Sequence, residues 1–371
     1  MPGLGRESWL EATKAVLITR ALFLIVAWVG AWMLAVTRGP LETSMVDLWA
    51  RWDARIFIQI ADLGYTDPAT DPHATAFFPL FPGLITFVDL VPFVSAGGAG
   101  MVVSGAASIV AAAYLYRLAE LEVGEGAGRH AVLYLVLFPT AVFLVAAYSE
   151  ALFLAGAIPA FYYARRNQWM FAAIPCAVAT ATRAAGIFLL LGLAVELIRQ
   201  RDSRNLKGGL VALGAGLIPV VAYGAYLARI KGDFLYFFVD QREGWHRGFV
   251  GPLESLANTW ELTTAPRSPT NWILTWRFEL VAAAVGLIVL GLLLIRREWG
   301  YATYTGTTLA ALMTSTWYFS IPRMLLSVFP IYLLMAGFTA GRPGRHELLV
   351  AVMAPVAALG VIVFTQGAWF Y

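Results

Sequence analysis

The chain alternates long apolar runs with short polar turns along its whole length. A bilayer's hydrocarbon layer is matched by about 20 apolar residues in a helix. Runs of roughly that kind recur near 14–36, 99–118, 129–147, 149–164, 169–182, 184–198, 208–228, 276–295, 301–318, 323–340 and 348–366. The pattern predicts an all-α polytopic membrane protein with about 11–12 transmembrane helices. Runs 149–164, 169–182 and 184–198 are short for a full crossing. Short or interrupted helices are tolerated at membrane depth where they line a polar cavity. The apolar stretch 77–95 carries Pro79, Pro82, Asp89 and Pro92.

Basic turns orient the runs, because Lys and Arg concentrate in cytoplasmic loops. Arg165/Arg166, Arg199–Lys207, Arg296/Arg297 and Arg342/Arg345 are separated in series by pairs of crossings, so all can be cytoplasmic. The polar turns at Tyr148–Glu150, Thr182/Arg183, 229–275 and Ser320–Arg323 then fall on the opposite side, with residues 37–76. That first outer loop holds three arginines against Glu42, Asp47, Asp53, Asp62, Asp67 and Asp71, a net −3 that suits the outer face. With Arg117–Arg129 cytoplasmic, 77–95 leaves and returns on one face, as a re-entrant or interfacial element; the alternative is that it crosses the membrane. Within the loop, Trp49, Trp52, Ile56, Ile60 and Leu63 share one helical face. Asp47 can cap the start of such a helix and Gly64 its end. This predicts an interfacial helix with tryptophans at headgroup depth and Asp53 on its polar border.

Composition agrees. Of 371 residues, 60% are hydrophobic and 13% charged, with a mean hydropathy of +0.71, against about 45–50% and about 25% in soluble domains. The net charge of +3 is not gathered into a stripe that would hold nucleic acid. The single cysteine, Cys176, excludes an intramolecular disulfide. The run 14–36 reads as a retained first span. Neither a repeat nor a low-complexity linker is visible, so residues 1–371 read as one membrane domain, with 37–76 as its first extracytoplasmic loop.

Several residues can carry chemistry. Asp53 is either a base beside a membrane-facing cavity or a solvated acid paired with Arg51 or Arg55. Asp67, Asp71 and His73 offer hard-metal ligands, but Asp67-Pro68 and Asp71-Pro72 are common turn dipeptides; the aspartates read as turn formers, and His73 stays open as a substrate contact. Glu150 and Arg183 are ionisable groups at membrane depth, which defaults to a functional reading. Arg183 can grip a lipid phosphate through two parallel hydrogen bonds, or pair with Glu150. Arg323, after Ser320-Ile321-Pro322, invites the same phosphate reading. Asp240–Arg247 mixes aromatic and hydrogen-bonding groups, among them Gln241 and Trp245, that suit a sugar ring or an ordinary polar surface.

Several blocks stand in one order along the chain: Arg51-Trp52-Asp53, Ile60-Ala61-Asp62-Leu63-Gly64-Tyr65, His73 before Ala76-Phe77-Phe78-Pro79-Leu80-Phe81-Pro82, Phe138-Pro139-Thr140 and Ala147-Tyr148-Ser149-Glu150-Ala151-Leu152-Phe153. They continue with Ala179–Gly186, Gln241 and Trp245, Ile321-Pro322-Arg323, Phe329-Pro330 and Gly367-Ala368-Trp369. Together they resemble the PIG-V family of mannosyltransferases, including its bacterial members, in the GT-C class. The resemblance implies a GT-C-like fold in a bacterial plasma membrane and inverting transfer of mannose on the extracytoplasmic face. The donor would be a polyprenyl-phosphate-mannose and the acceptor a glycolipid or glycan. Asp53 matches the GT-C position assigned as catalytic base, and His73, Glu150, Arg183, Gln241, Trp245 and Arg323 are the expected substrate contacts. A lipid phosphate in place of a sugar nucleotide needs no metal and no cofactor when arginine meets its charge. The competing readings are another polyprenyl-linked sugar, or a transporter of lipids or sugar-lipids. Transporters commonly show paired repeats, which are not visible here.

Overall fold

A computed structural model describes residues 5–38, 44–200, 203–265 and 269–369; Glu42 of the first outer loop and Arg201 of the basic run lie outside them. Described residues form helices α1 (Arg6–Arg38), α2 (Asp53–Leu63), α3 (Leu80–Asp89), α4 (Ala96–Glu122), α5 (Ala127–Val136), α6 (Glu150–Arg165), α7 (Trp169–Thr182) and α8 (Gly186–Gln200). The chain continues with α9 (Ser203–Lys231), α10 (Tyr236–Trp245), α11 (Pro252–Leu262), α12 (Thr270–Ile295), α13 (Trp299–Met313), α14 (Ile321–Ser327), α15 (Pro330–Thr339) and α16 (Pro343–Thr365). The all-helical membrane architecture expected from the apolar runs is the one found.

Within α1, α4, α9, α12 and α16 lie five stretches of 23–28 residues, each long and apolar enough to cross a bilayer unaided. The other expected spans are shorter helices, because prolines and turns cut the runs. Phe138-Pro139 ends the helical part of 129–147, and Pro330 restarts 323–340 as α15. The ten-residue α3 rises about 15 Å, roughly half the hydrocarbon thickness, a length that suits an element leaving and returning by one face.

The chain packs as two compact units. Of the described residues, the first takes in those up to Asp71, Pro79–Tyr162, and 331–369. Its axis is α4, which packs against α1, α3 and α5. The buried positions of α4 are mostly small (Ala99, Gly100, Ser104, Ala107, Ser108, Ala111), so neighbouring backbones come close. A methyl group on Gly100 would lie 2.5 Å from the Cβ of Ala147. The outward face of α1 shows Ile18, Leu22, Ile25 and Trp28, an apolar surface that only lipid or another protein covers favourably.

Between α5 and α6 the backbone of 137–149 is irregular, apart from a 3₁₀ turn at Ala141–Leu144. Its carbonyls are met by side chains from two helices. Arg20 of α1 donates to Leu144 O and Met101 O at 2.7 Å and to Val145 O at 3.2 Å. Ser104 donates to Ala146 O at 2.8 Å and Tyr148 O at 3.0 Å, and Ser108 reaches Leu144 O at 3.3 Å.

A helix is present where an interfacial one was expected, but it starts later than its apolar stripe suggested. Asp47–Trp49 form a 3₁₀ turn, the chain leaves helical geometry at Ala50–Trp52, and α2 opens on Asp53. Asp47 bonds back to Ser44 instead of capping α2. The break splits the stripe: α2 buries Ala54, Phe57 and Ile60, whereas Trp52 and Leu63 are exposed. Gly64 ends α2 as expected, at φ 79° with its N–H on Ile60 O.

The second unit comprises Pro72–Phe78 and Tyr163–Pro330. Here α7 packs along α9, α8 along α13, and α12 against α11, α13 and α14. The start of α14 is held by Glu279 of α12, whose carboxylate accepts the N–H groups of Ser320 at 2.6 Å and Ile321 at 2.8 Å.

The close approach at Gly100 is testable against an open glycine. Gly100→Ala is expected to cost about 1–3 kcal/mol by overpacking. At Gly83, an exposed position in α3 with nothing within 4 Å of the added methyl, Ala is expected to stabilise by about 0.5–1 kcal/mol. Melting temperatures in one detergent compare them; equal shifts would contradict the packing.

Candidate active site

Asp53 lies in the first unit, half-buried, as the first residue of α2. The partial positive charge at a helix N-terminus favours a carboxylate there. The preceding residue, Trp52, has φ 52° and ψ −124°, a conformation costing on the order of 1–3 kcal/mol for a side chain of this size. Neighbours hold it in place. The Trp52 ring meets Trp369 edge-on at 5.2 Å. Tyr148 donates its hydroxyl to Arg51 O at 3.1 Å, and the Arg51 guanidinium donates to Thr365 O at 3.4 Å. Glu150, fully buried, opens α6 two residues after Tyr148. The structure thus brings the segments around Asp53 and Glu150 together. Asp62 sits toward the other end of α2, where partial burial and, secondarily, the Asp89 carboxylate raise its pKa.

The other sequence-predicted residues belong to the second unit. His73 Nδ1 lies 3.3 Å from Asp240 Oδ1, and Thr75 donates its hydroxyl to Asp240 Oδ2 in a short bond. Asp240 is 1% exposed, so this carboxylate is held by its partners and not by water. Tyr223 fixes the same segment by donating to Thr75 O and Phe77 O at 2.9 and 3.0 Å. Trp245, at the end of α10, stands edge-on to Phe77 at 5.6 Å and to His73 at 6.2 Å. Gly244 lets the imidazole in: a Cβ there would meet His73 at 2.9 Å. His73 and Trp245 therefore share one place. Gln241 is half-buried on α10, and its backbone carbonyl accepts the Arg247 N–H at 3.1 Å.

Arg183 follows α7 in extended conformation, and its guanidinium lies 3.3 Å from Met324 Sδ. Arg323, the residue before Met324, is 6% exposed within α14. Arg247 donates to Phe319 O at 3.2 Å and stacks on the Phe319 ring. Three arginines from separate elements thus gather along 319–324, a segment fixed by Glu279. That arrangement presents concentrated guanidinium charge of the kind that binds phosphate.

Sequence reasoning missed Arg20 and Glu279, and picked out Asp240 and Arg247 only as the ends of the polar segment Asp240–Arg247. Arg20 and Glu279 were detectable as charges inside apolar runs, which default to a functional or structural polar contact. The pairing of Asp240 carried no local signal, its partner His73 being 167 residues away. Asp67 forms the turn its dipeptide suggested, accepting the Ala69 N–H at 2.8 Å. Among the described residues no three His, Cys, Asp or Glu side chains group as metal ligands.

Asp240→Ala would leave Thr75 and His73 without this acceptor and is expected to destabilise by about 1–3 kcal/mol. Gln241→Ala, next door, should change stability by under about 0.5 kcal/mol. Thermal unfolding of the two variants checks the difference; a neutral Asp240→Ala would contradict the assigned bonding.

Residues 38–201 match the family model described as Mannosyltransferase (PIG-V). No curated protein gives a significant match. Among solved structures, the fold is similar to the crystal structure of ArnT from Cupriavidus metallidurans bound to undecaprenyl phosphate, with a TM-score of 0.55 at 16% identity. The alignment covers 95% of this chain and 65% of that one, so the chain spans under two thirds of that protein's length. The match at 38–201 contains Asp53, His73, Glu150 and Arg183, whereas Gln241, Trp245 and Arg323 lie beyond it. The resemblance to PIG-V mannosyltransferases read from the ordered blocks is therefore shown by the family match over residues 38–201, and the GT-C-like fold it implied is the fold found.

Proposed function

We propose that this integral membrane protein transfers mannose from a polyprenyl-phosphate-mannose donor to a glycolipid or glycan acceptor. Transfer occurs with inversion on the extracytoplasmic face of a bacterial plasma membrane. The observation that carries this reading is Asp53 at the head of α2, behind the strained Trp52, inside the segment that matches the mannosyltransferase family. The ArnT structure contains undecaprenyl phosphate, which supports a polyprenyl phosphate as the carrier.

The acceptor hydroxyl attacks the anomeric carbon from the face opposite the phosphate. Its O–H proton passes to the Asp53 carboxylate as the new C–O bond forms. The bond from the anomeric carbon to the phosphate oxygen breaks with its electron pair staying on that oxygen, releasing polyprenyl phosphate. Arg183 and Arg323 offset the charge that grows there, and Arg247 reinforces the same segment. His73, oriented by Asp240, and the Trp245 ring supply hydrogen bonding and an apolar face for a sugar. Glu150 is assigned to hydroxyl recognition.

Asp53→Asn keeps size and hydrogen bonding but cannot accept the proton. It is expected to fold, to bind the lipid donor, and to lose about 10²–10⁴-fold in transfer rate, whereas Asp62→Asn should cost far less. Assays with purified protein and polyprenyl-phosphate-mannose, run beside the glucose-carrying lipid, read base role and sugar choice together. Near wild-type transfer by Asp53→Asn removes the assignment, and faster use of the glucosyl lipid replaces mannose.

Arg183→Lys and Arg323→Lys keep the charge and lose the planar fork. Each is expected to lower kcat/KM for the donor by roughly 10-fold or more. Full activity in both variants would show that neither makes a specific phosphate contact.

A further inference from the structure

A second charged site lies at the other end of α8 from Arg183. α8 begins three residues after Arg183 and runs 15 residues to Gln200, a rise of about 22 Å. At that far end a cavity of about 390 Å³ is lined by Arg165, Glu196, Arg199, Arg296, Arg297, Glu298 and Trp299, with Gln200. Its volume lies in the range of small-molecule sites. The carboxylates in it are already engaged by one arginine: Arg165 bonds Glu298 and lies 3.7 Å from Glu196, while stacking on Tyr301. Gln200 ties the floor together, accepting from Trp169 Nε1 at 2.8 Å and donating to Ala164 O at 2.9 Å. Among the described residues, no carboxylate pairs with Arg199, Arg296 or Arg297, all three of which are exposed. Arg199 lies over the Trp299 ring at 5.8 Å.

The cavity therefore keeps an excess of guanidinium charge after its own ion pairs are satisfied. Its rim indicates what supplies the counter-charge. Trp299 is 41% exposed, the placement of an indole at headgroup depth. On the helices that end at the cavity, Ile198, Leu294 and Ile295 are exposed apolar side chains, suited to acyl chains. Arg297 follows α12 at φ 59°, in the turn that carries Arg296, Glu298 and Trp299 into the cavity lining.

We propose that this cavity binds a phosphate group, that of an anionic phospholipid on the basic-loop side of the membrane, separately from any donor site. A basic pocket between helix ends, rimmed by an indole and apolar side chains, recognises a phosphodiester headgroup by charge and its chains by contact.

The test uses the full chain, delipidated in detergent, with native mass spectrometry of retained phosphatidylglycerol against phosphatidylcholine. A parallel arm adds millimolar inorganic phosphate. The wild type is expected to retain phosphatidylglycerol selectively. The triple variant Arg199→Gln, Arg296→Gln, Arg297→Gln should lose that selectivity by roughly 10–100-fold. Arg342→Gln with Arg345→Gln should keep it, and melting temperatures report whether each variant is folded. Displacement of phosphatidylglycerol by inorganic phosphate would assign the phosphate site to a soluble ligand in place of a lipid. Equal retention of both lipids by the wild type, or undiminished selectivity in a folded triple variant, overturns the proposal.

Discussion

Irregular backbone in an apolar surrounding must find hydrogen-bond partners inside the protein, since lipid offers none. The stretch 137–149 meets that demand through Arg20, Ser104 and Ser108. An arginine in the middle of a span costs about 2.5–3.5 kcal/mol on insertion; here its guanidinium is matched by three carbonyl oxygens. The consequence reaches the candidate base. Once 144–148 is fixed, Tyr148 can donate to Arg51 O, and the segment leading into α2 is tied to the same scaffold. Asp53 is thus positioned by contacts whose origin lies in α1 and α4. The small residues of α4 belong to the same arrangement, because Ser104 reaches the carbonyls only if the backbones approach closely, as they do at Gly100 and Ala147.

The second unit solves the same problem with the opposite charge. α14 needs acceptors for its first N–H groups, and Glu279 provides both oxygens from within α12. Asp240 plays a comparable part for the turn at His73–Thr75. Each buried acid is paired with donors, which is the condition under which burial of a carboxylate is tolerated. Removal of one partner strands the other, so these residues carry structural weight quite apart from any contact with substrate.

Much of the architecture was legible because membrane spans declare themselves by length and apolarity. Runs 14–36, 99–118, 208–228, 276–295 and 348–366 appear as the long helices α1, α4, α9, α12 and α16. Gly64 was readable as a helix end because a positive φ favours glycine. The ordered blocks pointed to the family, since motifs record chemistry and not only shape. Other features left no periodic trace. The stripe Trp49–Leu63 fits one helical face whether or not the helix is broken, so the departure at Ala50–Trp52 was invisible. Gln241 stood out as polar, yet its neighbour Asp240 makes the buried contact, because burial on α10 depends on a partner distant in sequence. Long-range polar pairing is the part of a fold that local pattern does not encode.

The distribution of backbone strain separates two kinds of positive-φ residue. Asn167, His246 and Arg297 follow α6, α10 and α12, where a left-handed residue ends a helix in the ordinary way. Trp52 and Ser320 stand instead before helices: Trp52 precedes Asp53, and Ser320 leads into Arg323. Trp52 departs furthest, since its ψ of −124° lies outside the left-handed helical well altogether. Such geometry persists only where surrounding contacts over-determine it. Around Trp52 those contacts are Trp369, Tyr148 and Thr365; around Ser320 they are Glu279 and Arg247 through Phe319. A side chain held by that many fixed neighbours loses little further freedom when a substrate arrives. The strain is therefore informative about order: these segments are set before ligand binds, which is the state that aiming a carboxylate or a guanidinium at a reacting group requires.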